Sequence, residues 1–218
     1  TALAVSPYAT EVVEHSSDLD GSGTYNDPQS VIGEPTNWNP DCCCVSMVCG
    51  AWNNDQYGNK TITTINDGSY IIVKFDHQIE DDPNNPFGID FLVFGNAFYE
   101  GNGSVDCNTD METYYIQGGA FEEPVLVAVS QDGVNWYEYS SGPYGDTGYP
   151  TNAKKWDRTN HQWGDLLDFT KPVDPSIDPA NFVDMCVADV IDTYYDGSAG
   201  GTGFDLAESG YSWIQYIR

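Results

Sequence analysis

The sequence predicts an all-β protein, a single antiparallel β-sandwich with long, disulfide-stapled loops. Aromatic residues make up 14% of the 218 residues and glycine is frequent, a mix that favours strands joined by tight turns. Short apolar or alternating segments recur between turn sequences, as they do in sandwiches. Since no internal repeat, long amphipathic helix or linker interrupts them, we expect residues 1–218 to form one domain.

In the first half of the chain, residues 10–14 alternate as an opening strand does. A short turn or helical turn is expected between Pro28 and Pro35. Residues 61–65 and 69–75 flank an Asn-Asp-Gly turn, a pattern that predicts a hairpin.

In the second half, residues 91–94 form an apolar run typical of a core strand. Residues 125–130 and 134–139 flank a Gln-Asp-Gly turn and give the clearest hairpin pattern. Residues 181–191 are interpreted as a strand, and residues 213–218 as a last strand without a following turn. Such a strand, if it lay at a sheet edge, would be able to pair with a second copy and build a fibre or layer.

Charge excludes two classes of partner. The chain has 34 acidic and 7 basic side chains, for a net charge of −27. This surface repels nucleic acid and anionic membranes, and no apolar run is long enough for membrane insertion. Bound divalent cations would relieve the repulsion; adaptation to a salty habitat is the alternative explanation.

Six cysteines, an even number, favour an oxidising compartment and disulfides. Neighbouring cysteines rarely bond to each other, so we expect Cys42, Cys43 and Cys44 to pair with Cys49, Cys107 and Cys186. A metal–thiolate cluster is the alternative, but the usual C-x-x-C spacing is absent.

The first candidate calcium site lies between Asp18 and Thr24. Asp18, Asp20, Ser22 and the Thr24 carbonyl occupy the first four ligand positions of an EF-hand-type loop. Gln29 replaces the bidentate glutamate at the twelfth position, and no helices are expected on either side. A hydrogen-bonded Asx turn is the competing interpretation.

The second candidate flanks the predicted core strand at 91–94. Asp90 precedes this strand and Asn96 follows it, and oxygen ligands on loops at strand ends suit a hard cation. The alternative is that both residues only cap the strand.

Three segments together resemble a group of secreted bacterial cell-surface proteins: GIDFLVFGNAF, VLVAVSQDGVNWYEY and GTGFDLAESGYSWIQYIR. Their domains are similar to galactose-binding-like, or discoidin-type, jelly rolls. The resemblance implies a jelly-roll fold with insertions near 36–58 and 140–181, and an extracellular or cell-surface location. It also implies calcium binding, with Asp90, Asn96 and Asp205 as ligands, and either glycan binding or a structural role.

No catalytic motif surrounds His15, His77 or His161, so we do not expect an enzyme. A calcium-stabilised structural or adhesive surface protein, able to self-associate, explains the acidity and the cysteines together. The alternative is a carbohydrate-binding module that holds an extracellular glycan on loop tryptophans: Trp38, Trp52, Trp156 and Trp163.

Overall fold

The computed structural model describes residues 5–35, 62–105 and 109–218. In these ranges the chain is rich in strands and its helices are short. The strands are β1 (Glu11–His15), β2 (Ile71–Glu80), β3 (Phe91–Val93), β4 (Phe98–Gly101), β5 (Ile116–Phe121), β6 (Ala128–Ser130), β7 (Tyr137–Glu138), β8 (Lys154–Asp157), β9 (Gln162–Leu166), β10 (Thr202–Phe204) and β11 (Trp213–Ile217). The helical segments are 3-10 turns at Pro28–Val31, Pro86–Gly88, Pro179–Phe182 and Leu206–Ser209, the α-helix α1 (Val187–Val190) and a π-helical turn at Ile191–Tyr195. None of these is long and apolar enough to cross a membrane.

The main sheet has five strands in the order β1-β2-β11-β6-β7. Three two-stranded sheets accompany it, pairing β10 with β3, β4 with β5, and β8 with β9. Each strand pair is antiparallel. The β-rich antiparallel fold is therefore confirmed, whereas the jelly-roll topology and the single domain stay predictions.

A first apolar core lies between the five-stranded sheet and the β3–β10 pair. Buried side chains of β6 and β11 contact those of β3 and β10, and Tyr139 closes one side. The members of this cluster are Phe91, Val127, Val129, Tyr139, Phe204, Leu206 and Ile214. A second core surrounds Phe182 and α1 and includes Tyr99, Trp156 and Tyr195.

Several predicted elements are confirmed with small shifts of their ends. The hairpin around the Gln-Asp-Gly turn is β6–β7, with Val129 opposite Tyr137. The core strand is β3, the opening strand is β1, and the turn after Pro28 is a 3-10 helix whose cap is Asp27. These elements are fixed by contacts close in sequence, which is why local patterns predict them.

The hairpin predicted for residues 61–75 is wrong. Thr64 and Asn66 donate backbone hydrogen bonds to Tyr25 and Leu19 instead of to β2. The neighbours of β2 are β1 and β11, one before it and one at the other end of the chain. The Asn-Asp-Gly turn is present and leads into β2. The residues before it, however, contact the segment around Leu19 and Tyr25 and do not pair with β2.

The strand predicted at 181–191 is also wrong. Asp178 accepts a hydrogen bond from the Ala180 amide and Pro179 follows it, so this segment begins as a capped 3-10 turn. Val187, Val190 and Ile191 then face the core from consecutive helical turns. Only a single bridge, between Tyr115 and Cys186, has strand character there.

The last strand is central in its sheet, contrary to the expectation of an edge. β11 pairs with β2 on one side and, through Tyr216 and Ile217, with β6 on the other, so it is not an edge strand of this sheet. The sheet edges are β1 and β7. In β1, exposed Glu11 and Glu14 and an irregular register at Val13 oppose edge-to-edge pairing.

Candidate cation site

Three carboxylates meet where β2 and β10 end and β3 begins. Oxygen atoms of Asp81, Asp90 and Asp205 lie within 4.8 Å of one another, and all three side chains are half-buried. Asp90 immediately precedes β3 and Asp205 immediately follows β10. Because Phe91 lies opposite Phe204 in the antiparallel pair, the next residue outward on each strand reaches the same place. The predicted proximity of Asp90 and Asp205 is present in the structure.

Asp90 is held in position by donors from two other segments. Its Oδ1 accepts hydrogen bonds from the Asp82 amide and from Asn85 Nδ2, both at 3.0 Å. Its Oδ2 accepts one from the Leu206 amide at 2.8 Å. This carboxylate therefore joins the loop after β2 to the segment after β10, in agreement with the capping interpretation.

Asp205 begins the 3-10 turn Leu206–Ser209. Its Oδ1 accepts a hydrogen bond from the Ala207 amide at 2.8 Å. Its Oδ2 is turned towards Gly88, where an added Cβ would lie 3.5 Å away. One oxygen thus orders the turn while the other is directed to the junction of the three segments.

Asp81 is the member of the cluster that the sequence did not single out. It follows β2, and its amide donates to the Ser212 carbonyl at 3.1 Å, beside β11. Loss of hydration, followed by the charges of Asp90, Asp205 and Asp82, raises the pKa of its carboxyl group. The acidic run before Pro83 is evident in the sequence. Only the pairing of β2 with β11, however, places Asp81 beside Asp90 and Asp205.

Asn96 does not belong to this cluster. It follows β3 whereas Asp90 precedes it, and three strand residues alone span about 10 Å. The residues on either side of Asn96 contact other partners: the Gly95 carbonyl accepts from Thr151, and the Ala97 amide donates to Asp146. Since β3 separates Asn96 from Asp90, the prediction that Asn96 shares a cation with Asp90 and Asp205 is not confirmed.

Asp20 accepts most of the side-chain hydrogen bonds within the loop from Asp18 to Thr24. The carboxylate of Asp20 accepts from the amides of Ser22, Thr24 and Tyr25 and from the Ser22 hydroxyl, at 2.6–3.0 Å. These bonds, with the Ser22 hydroxyl contributing most, lower the pKa of Asp20 to about 2. Asp18 is exposed. This geometry is that of the competing Asx turn, and the loop stays a weaker candidate for calcium.

Asx turns recur along the described parts of the chain. Ten aspartates in the described ranges each accept a hydrogen bond from the amide two residues ahead: Asp20, Asp27, Asp82, Asp110, Asp132, Asp157, Asp168, Asp174, Asp178 and Asp205. From the sequence, an Asx turn is considered only as an alternative between Asp18 and Thr24, and the acidity is otherwise attributed to calcium or salt. An aspartate followed two or three residues later by Ser, Thr or Asn was the available signal.

A second group of possible ligands is Asp110, Glu112 and His161. His161 Nδ1 lies 3.2 Å from Asp110 and 3.0 Å from Glu112. Arg158 also contacts Glu112, at 3.0 Å, and reaches Asp189 and Asp192 at 2.7 and 2.9 Å. Because a guanidinium already neutralises this group, it is a poorer cation site than the Asp81–Asp90–Asp205 cluster.

The predicted tryptophan platforms differ in exposure. Trp156 is only 3% exposed, and its ring packs edge to face against Trp163 with centroids 5.3 Å apart. Trp156 is therefore a core residue, and the prediction that it offers its ring to a glycan is wrong. Trp163 is half-buried, while Trp38 and Trp52 lie outside the described residues.

Cys186 is buried and its thiol is free. Burial raises the pKa of this thiol, which keeps it protonated and unreactive. The predicted disulfide at Cys186 is not confirmed. The other cysteines of the prediction, Cys42, Cys43, Cys44, Cys49 and Cys107, fall outside the described ranges.

No family model, no curated protein and no solved structure matches the chain. Nothing in these comparisons identifies a galactose-binding-like domain.

Proposed function

We propose that the protein is a calcium-stabilised structural module of a secreted or cell-surface protein. The observation that carries the proposal is the Asp81–Asp90–Asp205 cluster. Three like charges at one junction repel each other, and among the described residues no basic side chain forms an ion pair with any of them. A divalent cation would turn this repulsion into a link between three segments.

The ligand chemistry favours calcium over softer metals. The cluster offers only carboxylate oxygens, which suit Ca²⁺, and lacks the nitrogen and sulfur ligands that zinc and copper prefer. Burial, followed by the nearby charge of Glu208 and smaller effects that include Asp205 and Asp90, raises the pKa of Tyr139. The negative potential at this end of the sandwich supports a doubly charged ion whose remaining positions are filled by water.

The position of the cluster supports a structural role. Asp81 follows a strand of the five-stranded sheet, whereas Asp90 and Asp205 flank the β3–β10 pair, whose apolar side chains share one core with that sheet. A cation bound here would tie the two layers at an end where the apolar core stops. Binding to the folded state alone would then stabilise it by mass action.

Calorimetric titration with calcium chloride tests the proposal. We expect one binding event in the wild-type protein and at least about a tenfold weaker affinity in Asp81→Asn and Asp205→Asn, because each loses a charged ligand. Asn at position 205 retains an acceptor for the Ala207 amide, so the turn is preserved.

Asp82→Asn is the matched control. Asp82 adjoins Asp81, but its Oδ1 accepts from the Asn84 amide and side chain at 2.9 and 2.8 Å. The control changes the net charge by the same amount but removes no carboxylate of the cluster, so it should weaken the affinity far less than either substitution in the cluster. If all three variants weaken binding equally, or the wild-type protein takes up no calcium, the cluster is not the site.

A further inference from the structure

Asp146 is a buried carboxylate that the proposed cation site does not use. Its side chain is 9% exposed, and its backbone has a left-handed φ of 59°. Its Oδ1 accepts a hydrogen bond from the Ala97 amide at 2.8 Å, and the nearby Glu123 amide acts to lower its pKa. This side chain therefore holds the β3–β4 loop beside the segment between β5 and β6.

Asp146 packs closely against Gly95 in the β3–β4 loop. A Cβ added to Gly95 would lie 2.1 Å from Asp146 Oδ1, so only glycine permits the approach. Gly145, the preceding residue, forms both hydrogen bonds of a bridge with Val125 at 3.1 and 2.9 Å. Gly95, Asn96, Glu123 and Asp146 are among the residues that line a groove of about 1160 Å³.

The surroundings of Asp146 oppose a negative charge. The charged groups that act on it are Glu122 and Glu123, both acidic. None of the ion pairs formed by the described residues includes Asp146. Burial is the largest effect and outweighs the two amide donors, so that the pKa of Asp146 is raised to about 6.

We propose that Asp146 is a pH-responsive latch in the lining of this groove. The protonated side chain holds the β3–β4 loop against segment 122–125, and the ionised side chain loosens that contact. Opening the contact lets water reach the carboxylate and separates it from Glu122 and Glu123. Because Asp146 is harder to ionise in the closed form, low pH favours the closed form. The stability of the closed form relative to the open form falls as the pH rises through about 6.

Amide hydrogen exchange at Ala97, measured by NMR and corrected for the intrinsic exchange rate, tests the latch. We expect the protection of this amide to fall about tenfold or more between pH 4.5 and pH 7.5. The Val129 amide, in the core strand β6, serves as an internal reference for global stability and should not follow this change. In Asp146→Asn, which keeps the acceptor oxygen but cannot ionise, the fall at Ala97 should be absent.

Asp184→Asn is the matched control, because Asp184 also has a left-handed φ, of 68°, and is exposed. It should reproduce the wild-type profile. Carbon-13 NMR of the wild-type carboxyl groups gives a second readout that does not depend on a variant. A titration midpoint for Asp146 near 4, or equal pH dependence at Ala97 in the wild-type and Asp146→Asn proteins, would overturn the proposal.

Discussion

Phe91 and Phe204 stack face to face, with ring centroids 4.9 Å apart and ring planes 7° from parallel. The strand register that places these rings opposite each other also places Asp90 beside Asp205. The core and the candidate cation site therefore depend on the same pairing of β3 with β10.

Replacing Phe204 by alanine should test this dependence. The ring is fully buried, and its removal should lower the free energy of unfolding by about 3–5 kcal/mol. Phe204→Leu, which keeps most of the volume, should cost clearly less. Urea unfolding measures both, and equal stability of the alanine variant and the wild-type protein would contradict the assigned core.

Gly95→Ala should destabilise the protein because the new methyl group meets Asp146. Overpacking of this kind costs about 1–3 kcal/mol. Gly103→Ala is the control, since a Cβ there has nothing within 4 Å. Urea unfolding of the two variants should separate them, and the contact between Gly95 and Asp146 is wrong if both behave like the wild-type protein.

The Asx turns make the protein sensitive to acid. The folded-state pKa of Asp20 is lowered to about 2 from 3.8, so its stabilising effect is present above pH 4 and is lost as the pH falls from about 4 to about 2. In Asp20→Asn, the melting temperature should be lower at pH 7 and should depend less on pH in this window. Asp67→Asn, in the exposed turn before β2, should follow the wild-type curve. If the melting temperature of Asp20→Asn depended on pH as that of the wild-type protein does, the Asx turn at Asp20 would not be a source of the acid sensitivity.

The free thiol of Cys186 predicts the outcome of alkylation. Denatured protein that has not been reduced should carry the label on the peptide containing Cys186, because that thiol is free in the part of the chain that the structure describes. Mass spectrometry of the digested protein identifies the labelled peptide. Recovery of Cys186 only in a disulfide-linked pair would restore the original disulfide prediction for this residue.

Sequence patterns predicted the parts of the fold that depend on neighbouring residues. The β6–β7 hairpin is fixed by its own turn, and β3 by its apolar run, so both were found. The partners of β2 were missed because β1 and β11 are distant in sequence, and hydrophobic alternation does not specify which strands pair. The segment at 181–191 was misassigned because a buried helical turn and a buried strand are both apolar over such a short length.

The candidate site was predicted in part for the same reason. Asp90 and Asp205 flank two strands of similar character, which suggested that they meet. Asp81 reaches them only through the register of β2 against β11, which no local pattern contains. Asn96 was included because it adjoins the same strand as Asp90, although it follows the strand and so lies at the opposite end.

Thermal unfolding with and without calcium tests the central claim most directly. A ligand at a hundred times its dissociation constant stabilises the folded state by about 2.7 kcal/mol, which raises the melting temperature of a chain of this size by about 5–10 °C. We expect that difference between calcium and excess chelator in the wild-type protein and in Asp82→Asn, and a much smaller one in Asp205→Asn. An identical melting temperature of the wild-type protein in calcium and in excess chelator would contradict the claim that a cation at Asp81, Asp90 and Asp205 stabilises this fold.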